Sequence, residues 1–446
     1  AISITINSTE LLEELMTYSF VKNIRPVYKM INQNHVALEK NNRINMGYVD
    51  EMCLLSYGSS FNQINMLGGC ELHNAGFLGD EIIIAVFDAG FVGTETLPIF
   101  NNLWDNNRIL DRYDFVDGNT DVFVESVHGT MVLSTMGGYM VDSLIGSAPE
   151  ASYMLFRTED SSSETLIEED NWVAAAEYAD SAGAHIINSS LGYTILYDDT
   201  LNSHTYSDMD GNSTIITMAA DLAASRGILV VNSAGNSGNN DWYYIGAPAD
   251  GDSVLAVGAV NYLGEVAPFS SRGPSYDGRI KPNICAQGVS TVVADMDSTI
   301  RLANGTSFSS PIISGLSACL WQANTDLTNI QLMQIIEESS HLFSNPNDSL
   351  GYGIPNFSIA YLNSLNLTYP NEIFQIYPNP VKTELVISSI LNREHEFHVF
   401  NMFGVSVLHK KDEGPIIKFH EFANLEKGLY FLTERSLNKV YPIIKM

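Results

Sequence analysis

The sequence predicts an α/β domain built on a parallel sheet covered on both faces, followed by a small all-β sandwich. Two observations carry this. Over residues 49–365 short apolar runs alternate with helical patterns, and from about Glu372 the helical periodicity stops. The runs Ile82–Phe87, Ser152–Phe156, His185–Ser189, Ile228–Asn232 and Ser253–Val257 are of strand length. Their continuous apolar character marks strands buried on both faces, as in parallel sheets. Helices are expected directly after His128 and over Trp172–Ala182, Thr214–Ser225 and Phe308–Gln322. In the last zone Glu384–Ser388, Phe397–Asn401 and Leu429–Thr433 are separated by Gly, Pro, Asn and Lys, the pattern of a sandwich. Asn363–Asn371, rich in Asn and containing Pro370, reads as a linker. Three zones follow: 1–48 without a catalytic motif, 49–365, and 366–446.

Composition narrows the function classes. Of 446 residues 45% are hydrophobic, enough for a large core, and no apolar run approaches the ~18 residues a membrane helix needs. A net charge of -30 argues against nucleic acid and acidic membrane surfaces, which need clustered Lys and Arg. The acidic stretch Glu159–Asp170 reads as a solvated face, with a carboxylate calcium site as the sharper alternative; no EF-hand-type loop supports the latter. The four cysteines have no zinc spacing, and no metal-ligating set is assigned. Cys285 and Cys319 lie in apolar contexts and read as buried thiols, whereas pairing of Cys53 with Cys70 stays open. The chain opens at Ala1 with neither Met nor a signal peptide, which suggests a processed product.

Four segments carry chemistry. Ser307 lies in Asn304-Gly305-Thr306-Ser307-Phe308-Ser309-Ser310-Pro311, where Gly305 permits a tight turn and an apolar helical pattern follows. Pro311 suits a first helical turn. A serine at such a junction meets backbone N–H groups that favour developing negative charge, but it needs an adjacent base. Of the ten histidines, only His128 combines a glycine neighbour, Gly129, with the start of a helix. Asp88 ends the apolar strand Ile82–Phe87, a favoured place for a functional carboxylate and one from which it can fix a histidine tautomer. Asn236, in Ser233-Ala234-Gly235-Asn236-Ser237-Gly238, offers a side-chain N–H to an oxyanion. Alone, each has a plainer reading as a cap, a turn or a surface histidine.

Together they resemble the subtilisin-like (subtilase) serine peptidases over roughly Met66–Leu362. Asp88, His128 and Ser307 stand in that family's order, with Asn236 between base and nucleophile. The resemblance implies the three-layer subtilisin-like fold and an Asp-His-Ser mechanism. It implies substrate-binding walls at Ser190-Leu191-Gly192 and Ala234-Gly235. It also implies protein or peptide substrates, broad specificity and no required cofactor, with structural calcium allowed. Phe269–Pro274 and Lys281-Pro282-Asn283 match family segments read as structural. Ala89 departs from the Ser or Thr common after the aspartate. No Gly-x-Ser-x-Gly elbow is present, which argues against a lipase-type hydrolase.

The flanks add context. Residues 18–28 resemble the end of a subtilase propeptide, so 1–48 are expected to be a propeptide remnant or a mature N-terminal extension. Ile376-Tyr377-Pro378-Asn379-Pro380-Val381 and Lys427-Gly428-Leu429-Tyr430-Phe431-Leu432 resemble the C-terminal sorting domain of the type IX secretion system of Bacteroidetes. Pro378 and Pro380 are expected to hold the chain extended before a strand. A secreted or surface monomer is expected; a carbohydrate-binding or stabilising β module is the alternative for the tail. Asn304-Gly305-Thr306 matches a glycosylation acceptor whose glycan would block the site, which favours a bacterial origin. Two non-peptidase readings are a silent, adhesin-like scaffold and a regulatory partner whose site is permanently blocked by 1–48.

Overall fold

The computed structural model describes residues 21, 53–195, 200–368, 374–389, 394–402, 405–434 and 440–446. Apart from Val21, the segment 1–48 lies outside the described residues. The chain divides into two compact units, Ala1–Ala360 and Tyr361–Met446.

The first unit is organised by a seven-stranded sheet: β1 (Ile83–Asp88), β2 (Ile109–Asp114), β3 (Ser152–Arg157), β4 (Ile186–Ser189), β5 (Leu229–Ser233), β6 (Val254–Val260) and β7 (Ile284–Gln287). All its pairings are parallel, in the order β2-β3-β1-β4-β5-β6-β7. Strand alternation sorts the faces. Ala85 and Phe87 of β1, Phe156, Ile187 and Val230 share one core with Trp172 and Ala175 of α2 (Leu166–Ser181) and Ile216 and Ala220 of α3 (Ile215–Ser225). Ile84, Val86 and Asp88 therefore face the other layer. There α1 (His128–Gly137) packs on α4 (Thr306–Ala323), and α4 contacts β4 to β7. This three-layer arrangement matches the predicted fold class. The chain reverses direction across the sheet between β1 and β4, so the crevice beyond their carboxyl ends is where an open α/β sheet takes ligands.

Several expectations need correction. The acidic stretch is not a solvated face: Glu168, Glu169 and Asp170 are buried. Glu168 closes a capping box with Thr165 at the start of α2, Glu169 pairs with His204, and Glu159 accepts the Tyr193 hydroxyl. Pro311 is not in the first turn of its helix, because α4 starts at Thr306. The intended linker is largely helical: α6 (Phe357–Thr368) follows α5 (Asn329–Glu338), and Asn356 Oδ1 caps it by accepting the Ile359 N–H. Cys53 and Cys70 form a disulfide, while Cys285 and Cys319 are buried thiols. Lys281 is buried and donates to the carbonyls of Gly251 and Val254 and to Asn283 Oδ1, in keeping with the structural reading of its segment.

The second unit packs two antiparallel sheets. Its strands are β8 (Phe374–Tyr377), β9 (Leu385–Ser389), β10 (Glu394–Asn401), β11 (Ser406–Glu413), β12 (Ile416–Phe419), β13 (Gly428–Glu434) and β14 (Val440–Lys445). They run in the orders β8-β9-β12 and β11-β10-β13-β14. Phe374, Ile387 and Phe419 from one sheet and Phe397, Val399 and Leu432 from the other close a single core, a sandwich. Pro378 and Pro380 lie in the bend joining β8 to β9, not in an extended lead, because the antiparallel pairing of those strands requires the chain to reverse there. No described helix is long and apolar enough to cross a membrane.

Candidate active site

Asp88 ends β1 with its side chain fully buried. A carboxylate in that position needs partners. It accepts the Ala89 N–H at 2.8 Å, and both its oxygens lie within reach of His128 Nδ1, at 2.8 and 2.9 Å. His128 opens α1. Gly129 matters less for access to the ring than for the approach of the backbone: its N–H donates to the Gly90 carbonyl, and a Cβ there would sit 2.5 Å from that oxygen and 2.8 Å from the Phe91 ring. With Nδ1 held by Asp88, Nε2 is the nitrogen left to act. The ring keeps 31% of its side-chain surface open and packs beside Phe308, centroids 5.8 Å apart. Burial opposes protonation of this ring, but the Asp88 charge and hydrogen bond outweigh it and raise the pKa above the ordinary histidine value.

Ser307 is the second residue of α4, after Gly305, whose φ of 149° suits glycine alone. Pro311, which has no N–H, cannot bond the Ser307 carbonyl, and the Ser190 hydroxyl donates to it instead at 2.9 Å. In return the Ser307 hydroxyl donates to the Ser190 carbonyl at 3.3 Å and not to His128. A side-chain rotation is therefore needed before Ser307 can hand a proton to Nε2, which is common in substrate-free sites. Asn236 Oδ1 accepts both the Thr306 N–H, at 2.9 Å, and the Thr306 hydroxyl, at 3.0 Å. Its Oδ1 is thereby occupied on the helix start, and the Nδ2 donor faces Gly305, 3.7 Å from where a Cβ of that residue would stand. The Ser307 N–H, in the first turn, has no acceptor within its own helix. Asn236 and Ser307 line one cavity, so the Asn236 amide and the Ser307 N–H are the donors this segment offers beside the serine hydroxyl.

Beside them is a cavity of about 140 Å³ lined by Ser190, Leu191, Gly192, Gly235, Asn236 and Ser307, with Thr194, Tyr244, Gly246 and Ser271 among the rest. Ala234 does not line it. Ala234 lies in the sheet core, while Ser233, Gly235, Asn236 and Ser237 around it line the cavity. Thr306, Ser271, Thr194, Tyr244 and Gly246 were not singled out from the sequence. For Thr306 and Ser271 the signal was present, because each sits inside a motif already read. Thr194, Tyr244 and Gly246 come together only through pairing of Tyr193 with Ala247. Among the described residues no three acidic, His or Cys side chains of the first unit converge on an ion position. Calcium there would need backbone and amide oxygens.

Fold and site together define a hydrolase-type crevice on a subtilisin-like scaffold, and sequence comparison agrees. Residues 79–353, more than half of the chain, match the subtilase family, and the chain belongs to it. Residues 375–444 match the secretion system C-terminal sorting domain. Subtilisin E of Bacillus subtilis (strain 168) is 28% identical over 286 residues, 63% of this chain and 66% of the relative. The chain thus spans just under two thirds of that relative's length. Subtilisin DY of Bacillus licheniformis is 28% identical over 292 residues, 65% of this chain and 93% of the relative. The crystal structure of MycP1 from Mycobacterium smegmatis shares the fold with a TM-score of 0.53 and 21% identity, covering 72% of this chain and 89% of that one.

Proposed function

We propose that this chain is a secreted serine endopeptidase that hydrolyses peptide bonds through an acyl-enzyme. Ser307 Oγ attacks the scissile carbonyl and passes its proton to His128 Nε2; Asp88 holds the imidazole tautomer and balances its charge. Asn236 Nδ2 and the Ser307 N–H bind the oxyanion. His128 then protonates the leaving amine, and water, activated by the same nitrogen, releases the acid. The observation that carries this reading is His128 Nδ1 seated on the buried Asp88 carboxylate, with the imidazole ring beside Phe308, the residue next to Ser307 at the start of α4.

Substrate would bind extended along Ser190–Gly192, with its P1 side chain in the cavity between that segment and Gly235. Among the described residues no charged side chain lines the cavity, and Gly192, Gly235 and Gly246 keep it open. Broad selection of neutral P1 residues follows. The matched sorting domain supports export by the type IX machinery to the outside or surface of a Bacteroidetes cell. Residues 1–48 are read as a propeptide remnant or extension, and the working species as a monomer.

The test is digestion of an unfolded protein by the purified chain, with cleavage sites mapped by mass spectrometry. Cleavage after neutral residues, abolished in Ser307→Ala, is expected. Cleavage that persists in Ser307→Ala, or that concentrates after Lys and Arg, would contradict the mechanism or the pocket reading respectively.

A further inference from the structure

The outer face of the second unit carries a cluster with no part in peptide hydrolysis. In β10 His395, Phe397 and Val399 point into the sandwich, so Glu396 and His398 share the outer face. β11 pairs with β10 in antiparallel register, setting His409 directly opposite His398 and Lys411 opposite Glu396. The two imidazole rings stack with centroids 4.4 Å apart. His409 Nε2 lies 2.8 Å from Glu396 Oε1, and His398 Nε2 lies 3.8 Å from the same oxygen. One donor atom from each of the three residues falls within 4.8 Å of the others.

We propose that Glu396, His398 and His409 form a site for a divalent transition metal ion of the zinc class, bridging β10 and β11. The geometry favours this. Zinc–nitrogen and zinc–oxygen bonds of about 2.0–2.1 Å set tetrahedral ligand–ligand edges of roughly 3.4 Å. The two separations from Glu396 Oε1 fall on either side of that edge, so small side-chain rotations bring all three donors onto one ion. The donor chemistry favours it as well. Two imidazoles and one carboxylate suit zinc, nickel or copper, whereas calcium and magnesium select oxygen. Water completes the fourth position. Where His409 Nε2 carries the proton shared with Glu396, the metal takes that nitrogen's lone pair and the proton moves to Nδ1 or to solvent.

One group opposes the ion: the Lys411 ammonium, 3.6 Å from Glu396 Oε2. It is half-exposed on a flexible stem and can swing away. β11 is an edge strand of its sheet, with one row of backbone groups unpaired. An ion held by residues on both strands would clip this edge to its neighbour. Binding would then appear as protection of β11 itself.

The experiment uses the full chain, stripped with chelator and titrated with zinc, and with cobalt as a spectroscopic reporter. We expect one zinc per chain, visible absorption typical of tetrahedral cobalt, and slower amide exchange across Ser406–Glu413. Affinity should fall roughly tenfold or more in His398→Gln and in His409→Gln, as expected for loss of a ligand, and rise in Lys411→Ala. Circular dichroism in chelator checks that the variants fold. Should either fail to fold, histidine resonances of the wild type decide: His398 and His409 must shift on zinc addition. No zinc bound by the wild type, zinc binding unchanged in the doubly substituted chain, or shifts confined to other histidines would overturn the proposal.

Discussion

His128 can accept a proton from serine only while neutral, and its surroundings set the pH at which it becomes so. The Asp88 carboxylate raises its pKa despite burial, so kcat/KM should fall as pH drops through a value above the ordinary ~6.5 of histidine. In Asp88→Asn that attraction is gone: the acid limb of the profile should move to lower pH, and kcat should fall by about 10⁴. A pH–rate series on both proteins checks the direction. Asn236→Leu removes one oxyanion donor, and a kcat lower by about 10²–10³ with KM little changed is expected from steady-state kinetics. Much at this scale was legible. Asp88, His128, Ser307 and Asn236 each stood in a short stretch whose glycines and strand or helix edges announced an unusual backbone. The reciprocal bonds of Ser190 and Ser307 were not legible, because they join residues 117 positions apart.

Helix α4 shows how an element and its site depend on each other. Pro311 withholds a backbone donor from the Ser307 carbonyl, and the Ser190 hydroxyl supplies it. Ser190→Ala should leave that carbonyl buried and unsatisfied and cost about 1–3 kcal/mol in urea unfolding. The acidic entry to α2 makes a second prediction. Burial, reinforced by the charges of Glu164 and Asp88 against the hydrogen bonds from Tyr193 and Thr158, pushes Glu159 up to about 8. The folded protein then keeps a proton that the unfolded chain releases above ~4.3. The resulting stability is present at acid pH and lost as pH rises toward 8. Glu159→Gln should unfold at the same denaturant concentration as wild type near pH 4 and at a higher one near pH 9. Composition alone could not show this burial, since a run of acids looks the same whether it faces water or His204 and Tyr193. The main apolar strands were readable within two or three residues. β2 and the four-residue β7 were missed for their polar or short character, and α5 although Thr328 and Gln331 spell a capping box.

At the scale of the whole molecule the chain joins a subtilase unit to a sorting-domain sandwich, and its charge of -30 lies wholly in the first unit, because residues 361–446 carry nine acidic and nine basic residues. The order of units was legible because periodicity changes from 3.6 to 2 along the chain. The boundary between them was less so, since Asn363–Thr368 of the Asn-rich segment that looked like a linker belongs to α6. An activated serine on this scaffold reacts with a fluorophosphonate, and an inert one does not. Wild type should become labelled at Ser307, before or after proteolytic removal of residues 1–48, and Ser307→Ala should remain unlabelled. Wild type that stays unlabelled in both forms, or label carried equally by Ser307→Ala, would mean that Ser307 is not an activated nucleophile.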